Sequence, residues 1–263
     1  MASSSGPQGF GRDWFTPDWP LSDRVCAVTT SRTGGTSIDP YSSFNLATHV
    51  ADSPVAVAAN RQLLREHTGL SRVQWLDQVH GVAVISADST SAATVPVADA
   101  AWTSTPGLGL AVLTADCLPV VFAAADGSAV AVAHAGWRGL LAGVLEQVYQ
   151  QLPATAAGYL AWIGPAISAR AYEVGEDVAE SVRFFSLPDR TSSKPVDSGW
   201  LQPGRTVGKY QLDLAAMAGA QLLALGVRSV YYSGVCSAGS TLTYSYRRDG
   251  VTGRMATVVW LPA

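Results

Sequence analysis

Apolar residues along this 263-residue chain fall into short, strand-length runs broken by Gly, Pro and Asp, interleaved with a few segments of helical period. Val25–Thr30 predicts a strand and Ser31–Pro40 a Gly/Ser/Thr loop. Val55–His67 predicts a helix, with Asp52 or Ser53 as cap, Pro54 in the first turn and Gly69 as stop. Gln74–Leu76 and Val82–Ser86 read as strands around the polar segment Asp77–Gly81, which places His80 on a loop or strand end. Leu108–Thr114, Leu118–Ala124 and Ala129–Ala133 follow as strands, and Trp137–Leu152 as a helix ended by Pro153. Leu160–Ile163, Val227–Tyr232 and Met255–Leu261 are further strands, Asp177–Phe185 a helix, and Asp213–Leu225 a capped amphipathic helix. Ser186–Gly208 is polar and Pro/Gly-rich, long enough to suspect a lid or interface loop. No repeat recurs, and the mixed order of elements favours an α+β or mixed α/β architecture. Residues 1–12 read as a disordered tail and 13–263 as one domain.

One pair of runs carries chemistry. If Asp126 and Gly127 form a two-residue primed turn, residues whose numbers sum to 253 face one another, and His134 lies opposite Pro119. Cys117 is then a diagonal neighbour of His134 on the same face, roughly 7 Å away at Cβ. A one-residue slip would separate them. Their proximity suits a metal site or a thiolate–imidazole pair, while a small buried thiol beside a satisfied histidine is the bland alternative.

Composition narrows the partners. A formal net charge of −3 offers no electrostatic footprint for nucleic acid or an anionic membrane, so small molecules are expected. Three widely spaced cysteines, Cys26, Cys117 and Cys236, argue against a disulfide framework and for a reducing compartment, and no run is long enough to span a bilayer. A cytoplasmic protein, monomer or homodimer, is the expectation.

Only four histidines occur: His49, His67, His80 and His134. His67 falls near a helix C-terminus, where imidazolium meets the dipole favourably. His80, Cys117 and His134 together make a Cys-His₂ set that suits Zn²⁺ and leaves a fourth position for water. A metal-free alternative uses Cys117 as nucleophile and His134 as base, oriented by Asp116 or a polar neighbour. Copper is a third option, but a blue-copper site would consume two histidines and leave at most two for a further cluster. Arg138 at the start of the Trp137 helix, Arg61 on the first helix and the Arg247–Gly250 turn supply guanidinium groups for oxyanions.

The ordered set Asn45–Val50, Asn60-Arg61, Gln78–Gly81, Thr114–Pro119, His134–Gly139 and Ser245–Gly250 through Gly253–Met255 resembles the YfiH family across nearly the whole chain after the tail. Its members go by laccase-domain or polyphenol oxidase proteins, peptidoglycan editing factors, and purine nucleoside phosphorylases with adenosine deaminase activity. The resemblance implies an α+β sandwich of mixed sheets with flanking helices, αββα-like and related to toxin cysteine deamidases. It also implies that metal and catalytic roles fall on His80, Cys117 and His134. The substrate class it implies is a purine nucleoside with phosphate. Asn45, His49, Arg61, Arg138 and Arg248 are candidate substrate contacts, and Trp102, Trp137 and Tyr246 candidate aromatic walls. Amide hydrolysis of a peptidoglycan precursor and copper-dependent phenol oxidation remain alternatives. Ala169, Arg170 and Ala171 stand where many relatives carry cysteine, which weakens any second metal site.

Overall fold

The computed structural model describes residues 13–88, 90, 93–185 and 199–263. The tail 1–12 and residues 186–198 of the suspected lid lie outside them.

Two sheets face one another. One runs β1 (Cys26–Thr29), β13 (Met255–Trp260), β5 (Leu108–Thr114), β2 (Arg72–Gln74), and the other β12 (Ser229–Tyr232), β8 (Tyr159–Ile163), β6 (Leu118–Ala124), β7 (Val130–Ala135), β4 (Ala100–Thr103), β3 (Val84–Ser86). Both are mixed, with β2 parallel to β5, β12 to β8 and β3 to β4.

The period-two alternation of a strand divides the core into layers. Val121 and Ala123 of β6 and Val130 and Val132 of β7 meet Leu110 and Val112 of β5 and Val259 of β13 between the sheets. Their neighbours Val120, Phe122, Ala131 and Ala133 point the other way, under α2 (Trp137–Leu141), α3 (Val144–Gln151), α4 (Glu176–Arg183) and α5 (Leu214–Ala224). On the far side, Ala111, Leu113, Ala256 and Val258 pack under α1 (Pro54–Thr68). Helix, sheet, sheet, helix is the α+β layering that the resemblance implied.

Local signals explain most elements. Ser53 caps α1 by accepting from the Ala56 N–H, Pro54 opens it, and Gly69 ends it in a left-handed turn at φ 71°. Asp213 caps α5, which buries Leu214, Met217, Ala218, Gln221 and Leu222 at helical spacing. Three expectations are corrected. The helix expected over Trp137–Leu152 is two helices, because Gly143 at φ 92° breaks the backbone between them.

The β6–β7 turn is not a two-residue primed turn: only Gly127 has positive φ, and residues 125–128 form a four-residue loop closed by the Ala124 pair. Both loops centre on the same bond, so the sum-253 register holds, with Pro119 opposite His134. Part of the suspected lid is ordinary sheet, since β10 (Leu201–Pro203) pairs with β11 (Tyr210–Leu212), itself paired with β9 (Glu173–Val174). No helix of the described residues is long and apolar enough to cross a membrane.

Candidate metal centre

Sheet parity decides which side chains can meet. His134 falls on the same alternate face of β7 as Val130 and Val132, and Cys117, just before β6, on the same face as Val121, so both point between the sheets at one end of the sandwich. His80 arrives from the β2–β3 loop in a left-handed conformation, φ 59°. One ligand atom from each of His80, Cys117 and His134 lies within 4.8 Å of the other two, the single such group among the described residues. Cys117 Sγ is 3.9 Å from His80 Nε2, and the two imidazoles meet edge-on with centroids 4.7 Å apart. Zn–N and Zn–S bonds of about 2.0–2.3 Å would draw these three atoms closer together around one ion.

The residue that organises the centre is Asp99, which sequence reasoning did not single out. The β4–β7 register pairs Ala100 with Ala133, so Asp99 falls opposite His134, whose backbone N–H donates to the Asp99 carbonyl at 2.7 Å. Its carboxylate, 0% exposed, accepts from His134 Nδ1 at 2.8 Å and from the backbone N–H groups of Val79, His80 and Gly81 at 3.2, 2.9 and 2.7 Å. One carboxylate therefore aims Nε2 of His134 and holds the left-handed loop that presents His80. A lone acid in the apolar stretch Val97–Trp102 was the available signal, hidden because the Ala-rich β4 was not recognised as a strand.

Asp116, offered above as an orienting group, has a different task. It sits at φ 103°, a sparsely populated setting for a non-glycine residue, with Ser237 Oγ donating to Oδ1 at 2.6 Å and the Arg247 N–H to Oδ2 at 2.7 Å. These bonds tie the bend before Cys117 to α6 (Tyr246–Asp249).

Electrostatics follow from this packing. Burial pushes the Cys117 thiol up, but hydrogen bonds and charge from His134 and His80 outweigh it and bring the group down to about 6. Burial likewise opposes charge on His134, yet Asp99 and then the thiolate lift it to about 9. The thiolate of Cys117 and the imidazolium of His134 thus stabilise one another, and a bound ion would take the place of the proton between them.

The centre lines a cavity of about 380 Å³, bordered also by His49, Thr114, Tyr246 and Arg254. Of the expected substrate contacts, His49 alone is in this lining. Its basicity is lowered by burial and by Arg254. Asn45 is fully buried and spent on the fold: it donates to Asp52 and Ala47 and accepts from the Ala47 and Arg254 N–H groups. Arg61 donates to the Leu46 carbonyl and stacks 3.9 Å over Trp75. Arg248 clamps Asp249 and the carbonyls of Ser237, Ser240 and Thr243.

Arg138 stacks on Trp137, its helix is only five residues long, and both border a separate cavity of about 650 Å³ against α3, α4 and α5. Trp102 packs on the helix side of its sheet, which leaves Tyr246 as the aromatic wall of the metal-centre cavity. Arg254 was legible only as part of the family-like Gly253–Met255 motif.

Gly136 separates His134 from α2 for a steric reason. A Cβ there would stand 2.8 Å from His80 Cδ2 and 3.1 Å from Cys117 Sγ. Gly136→Ala is expected to displace the His80 and Cys117 side chains and to lower the affinity for added Zn²⁺ on the order of 10-fold or more in a chelator competition. Unchanged affinity would show that the loop yields without disturbing the centre.

Comparison places the chain. It belongs to the multi-copper polyphenol oxidoreductase laccase family, whose model matches residues 26–262. Relatives include the purine nucleoside phosphorylase PA4543 of Pseudomonas aeruginosa, 44% identical over 94% of this chain and 98% of that protein, and the purine nucleoside phosphorylase YfiH of Escherichia coli K12, 41% identical with the same coverage. Among solved structures, NMB0706 of Neisseria meningitidis superposes with a TM-score of 0.87 at 41% identity, covering 96% of this chain and 100% of that one. YlmD of Geobacillus stearothermophilus superposes at 0.85 with 30% identity, covering 100% and 98%.

Proposed function

We propose that the chain is a zinc-dependent purine nucleoside enzyme, cleaving adenosine- and inosine-type nucleosides with phosphate and deaminating adenosine. The observation that carries this reading is the convergence of His80, Cys117 and His134 in a cavity of small-molecule size, roughly 300–1,000 Å³. Relatives named purine nucleoside phosphorylase at 44% and 41% identity support the substrate class.

The three side chains fit Zn²⁺ in donor type and number and leave a position open. A bound zinc ion supplies Lewis acidity and an activated oxygen nucleophile near neutral pH. Asp99 fixes the His134 ring and the His80 loop, Cys117 contributes the thiolate, and Tyr246 offers a face to a purine. In phosphorolysis a phosphate oxygen bonds to C1′ while the C1′–N9 bond breaks and its electron pair leaves with the base. In deamination water replaces the C6 amino group, released as ammonia. The three free thiols suit a reducing, cytoplasmic setting, and a monomer or homodimer suffices for a site built from one chain.

The donor set serves one ion. Among the described residues, His67 is remote on α1, bonded to the Leu63 carbonyl, so ligands for a multinuclear copper cluster are not assembled. Product chromatography tests the reading: zinc-loaded protein is incubated with adenosine or inosine, with and without phosphate, before and after chelation. Phosphate-dependent base release and adenosine-to-inosine conversion, both lost on chelation, are expected. Intact nucleosides alongside cleavage of a muropeptide amide would overturn it in favour of precursor editing, and copper-dependent oxygen uptake with a phenol in favour of oxidation.

A further inference from the structure

Phosphorolysis needs a place for phosphate, and the arginines that the sequence suggested for it lie elsewhere or are engaged. Arg254 is the guanidinium that lines the metal-centre cavity, and no carboxylate borders it among the described residues. Its place follows from register: β13 pairs Met255 with Thr114 of β5, so Arg254 emerges beside Thr114 at the strand ends. The backbone is pinned on both sides, the Arg254 N–H donating to Asn45 Oδ1 at 2.9 Å and its carbonyl accepting from the Leu46 N–H at 3.3 Å.

Nη1 donates to the Thr252 and Gly253 carbonyls at 2.8 and 3.0 Å, which fixes the plane of the guanidinium. Nε and Nη2 have no intramolecular acceptor among the described residues, and together they form the edge that binds two oxygens of an oxyanion at once. Thr114 adds a second, independent sign. It is 1% exposed, lines the same cavity, and its hydroxyl is buried without a hydrogen-bond partner among the described residues. A buried hydroxyl left unpaired in the free protein is accounted for if a ligand pairs with it.

We infer that Arg254 and Thr114 form the oxyanion subsite of this cavity and that its ligand is inorganic phosphate, the co-substrate of the phosphorolysis proposed above, on which this assignment rests. A phosphate dianion is held best by a fixed positive charge presented in a planar fork. Arg254 supplies that charge through its fork, and Thr114 donates its proton to a further phosphate oxygen. Neither residue gives up a proton in the reaction. One phosphate oxygen remains unclamped to form the bond to C1′ as the C1′–N9 pair departs with the base.

Zinc-loaded Arg254→Gln, Arg254→Lys and Thr114→Val proteins, checked for wild-type zinc content and circular dichroism, would be compared in two assays. In inosine cleavage with phosphate varied, the phosphate KM is expected to rise about tenfold or more in Arg254→Gln and by more than the inosine KM, with Arg254→Lys intermediate because it restores charge without the fork. In calorimetry with inorganic phosphate alone, affinity should fall in parallel, and Thr114→Val, nearly isosteric, should show the same direction.

Wild-type phosphate affinity in both Arg254→Gln and Thr114→Val, or a phosphate KM that rises no more than the inosine KM, overturns the subsite. Calorimetry also separates the two readings: phosphate binding lost in the variants of a protein that turns over no nucleoside upholds the subsite and removes the phosphorolysis.

Discussion

Cys117→Ala is expected to reduce nucleoside turnover by roughly 10³-fold or more, the several kcal/mol of transition-state stabilisation that a metal centre supplies. Cys117 is one of the three side chains proposed to hold the ion and the only one of them that would be anionic. Its loss leaves two imidazoles, one of them held by Asp99, which cannot retain the ion stoichiometrically. Zinc content measured on the purified variant should fall well below one per chain. The fold should persist, because the thiol is a half-buried group at the edge of a large core. Near-wild-type circular dichroism and a melting temperature within a few degrees, on the order of 1 kcal/mol, are expected. Unfolding of this variant, or of the wild type on chelation, would mean that the ion is structural and the site closed. Full zinc occupancy with full activity would remove Cys117 from the centre altogether.

Asp99→Asn should damage both stability and the site, although the change is nearly isosteric. All the groups around the carboxylate are donors: His134 Nδ1 and the N–H groups of Val79, His80 and Gly81. An amide turns one acceptor into a donor. In one orientation its NH₂ faces the Val79 and Gly81 N–H groups; flipped, it faces those of His80 and His134. Each unsatisfied buried donor costs about 1–3 kcal/mol, so urea denaturation should show destabilisation of that size or more. Because the same carboxylate aims the His134 ring and presents His80, zinc affinity should fall about 10- to 100-fold. A variant with lowered stability but wild-type zinc affinity would show that the β4–β7 register alone positions His134.

The β6–β7 pairing was legible because alternation and one turn centre specify a register even when the turn type is misread, and that register brought Cys117 and His134 to one face. The α1 boundaries were legible from local capping chemistry around Ser53, Pro54 and Gly69. The break at Gly143 was not, because a glycine within a helical pattern carries no mark of the positive φ that it adopts. Asp99 was overlooked because its meaning depends on His134, 35 residues away, and on the pairing of its own weak, Ala-rich strand β4 with β7. The arginines were misassigned to the pocket for the same reason. A guanidinium looks the same in sequence whether it stacks on Trp75, clamps Asp249 or lines a cavity.

By itself, then, the sequence determined the alternation that layers the core, the α+β order of elements, and the donor types that Cys117, His80 and His134 offer, because periodicity and donor chemistry are properties of the residues themselves. Only the tertiary structure decided that Asp99 bonds His134 and the His80 loop together, that Gly136 makes room for His80 and Cys117, and that Arg254 and Thr114 share their cavity. Those relations arise where strands distant in sequence lie side by side, and contact across a sheet is set by register and packing, which no single segment encodes.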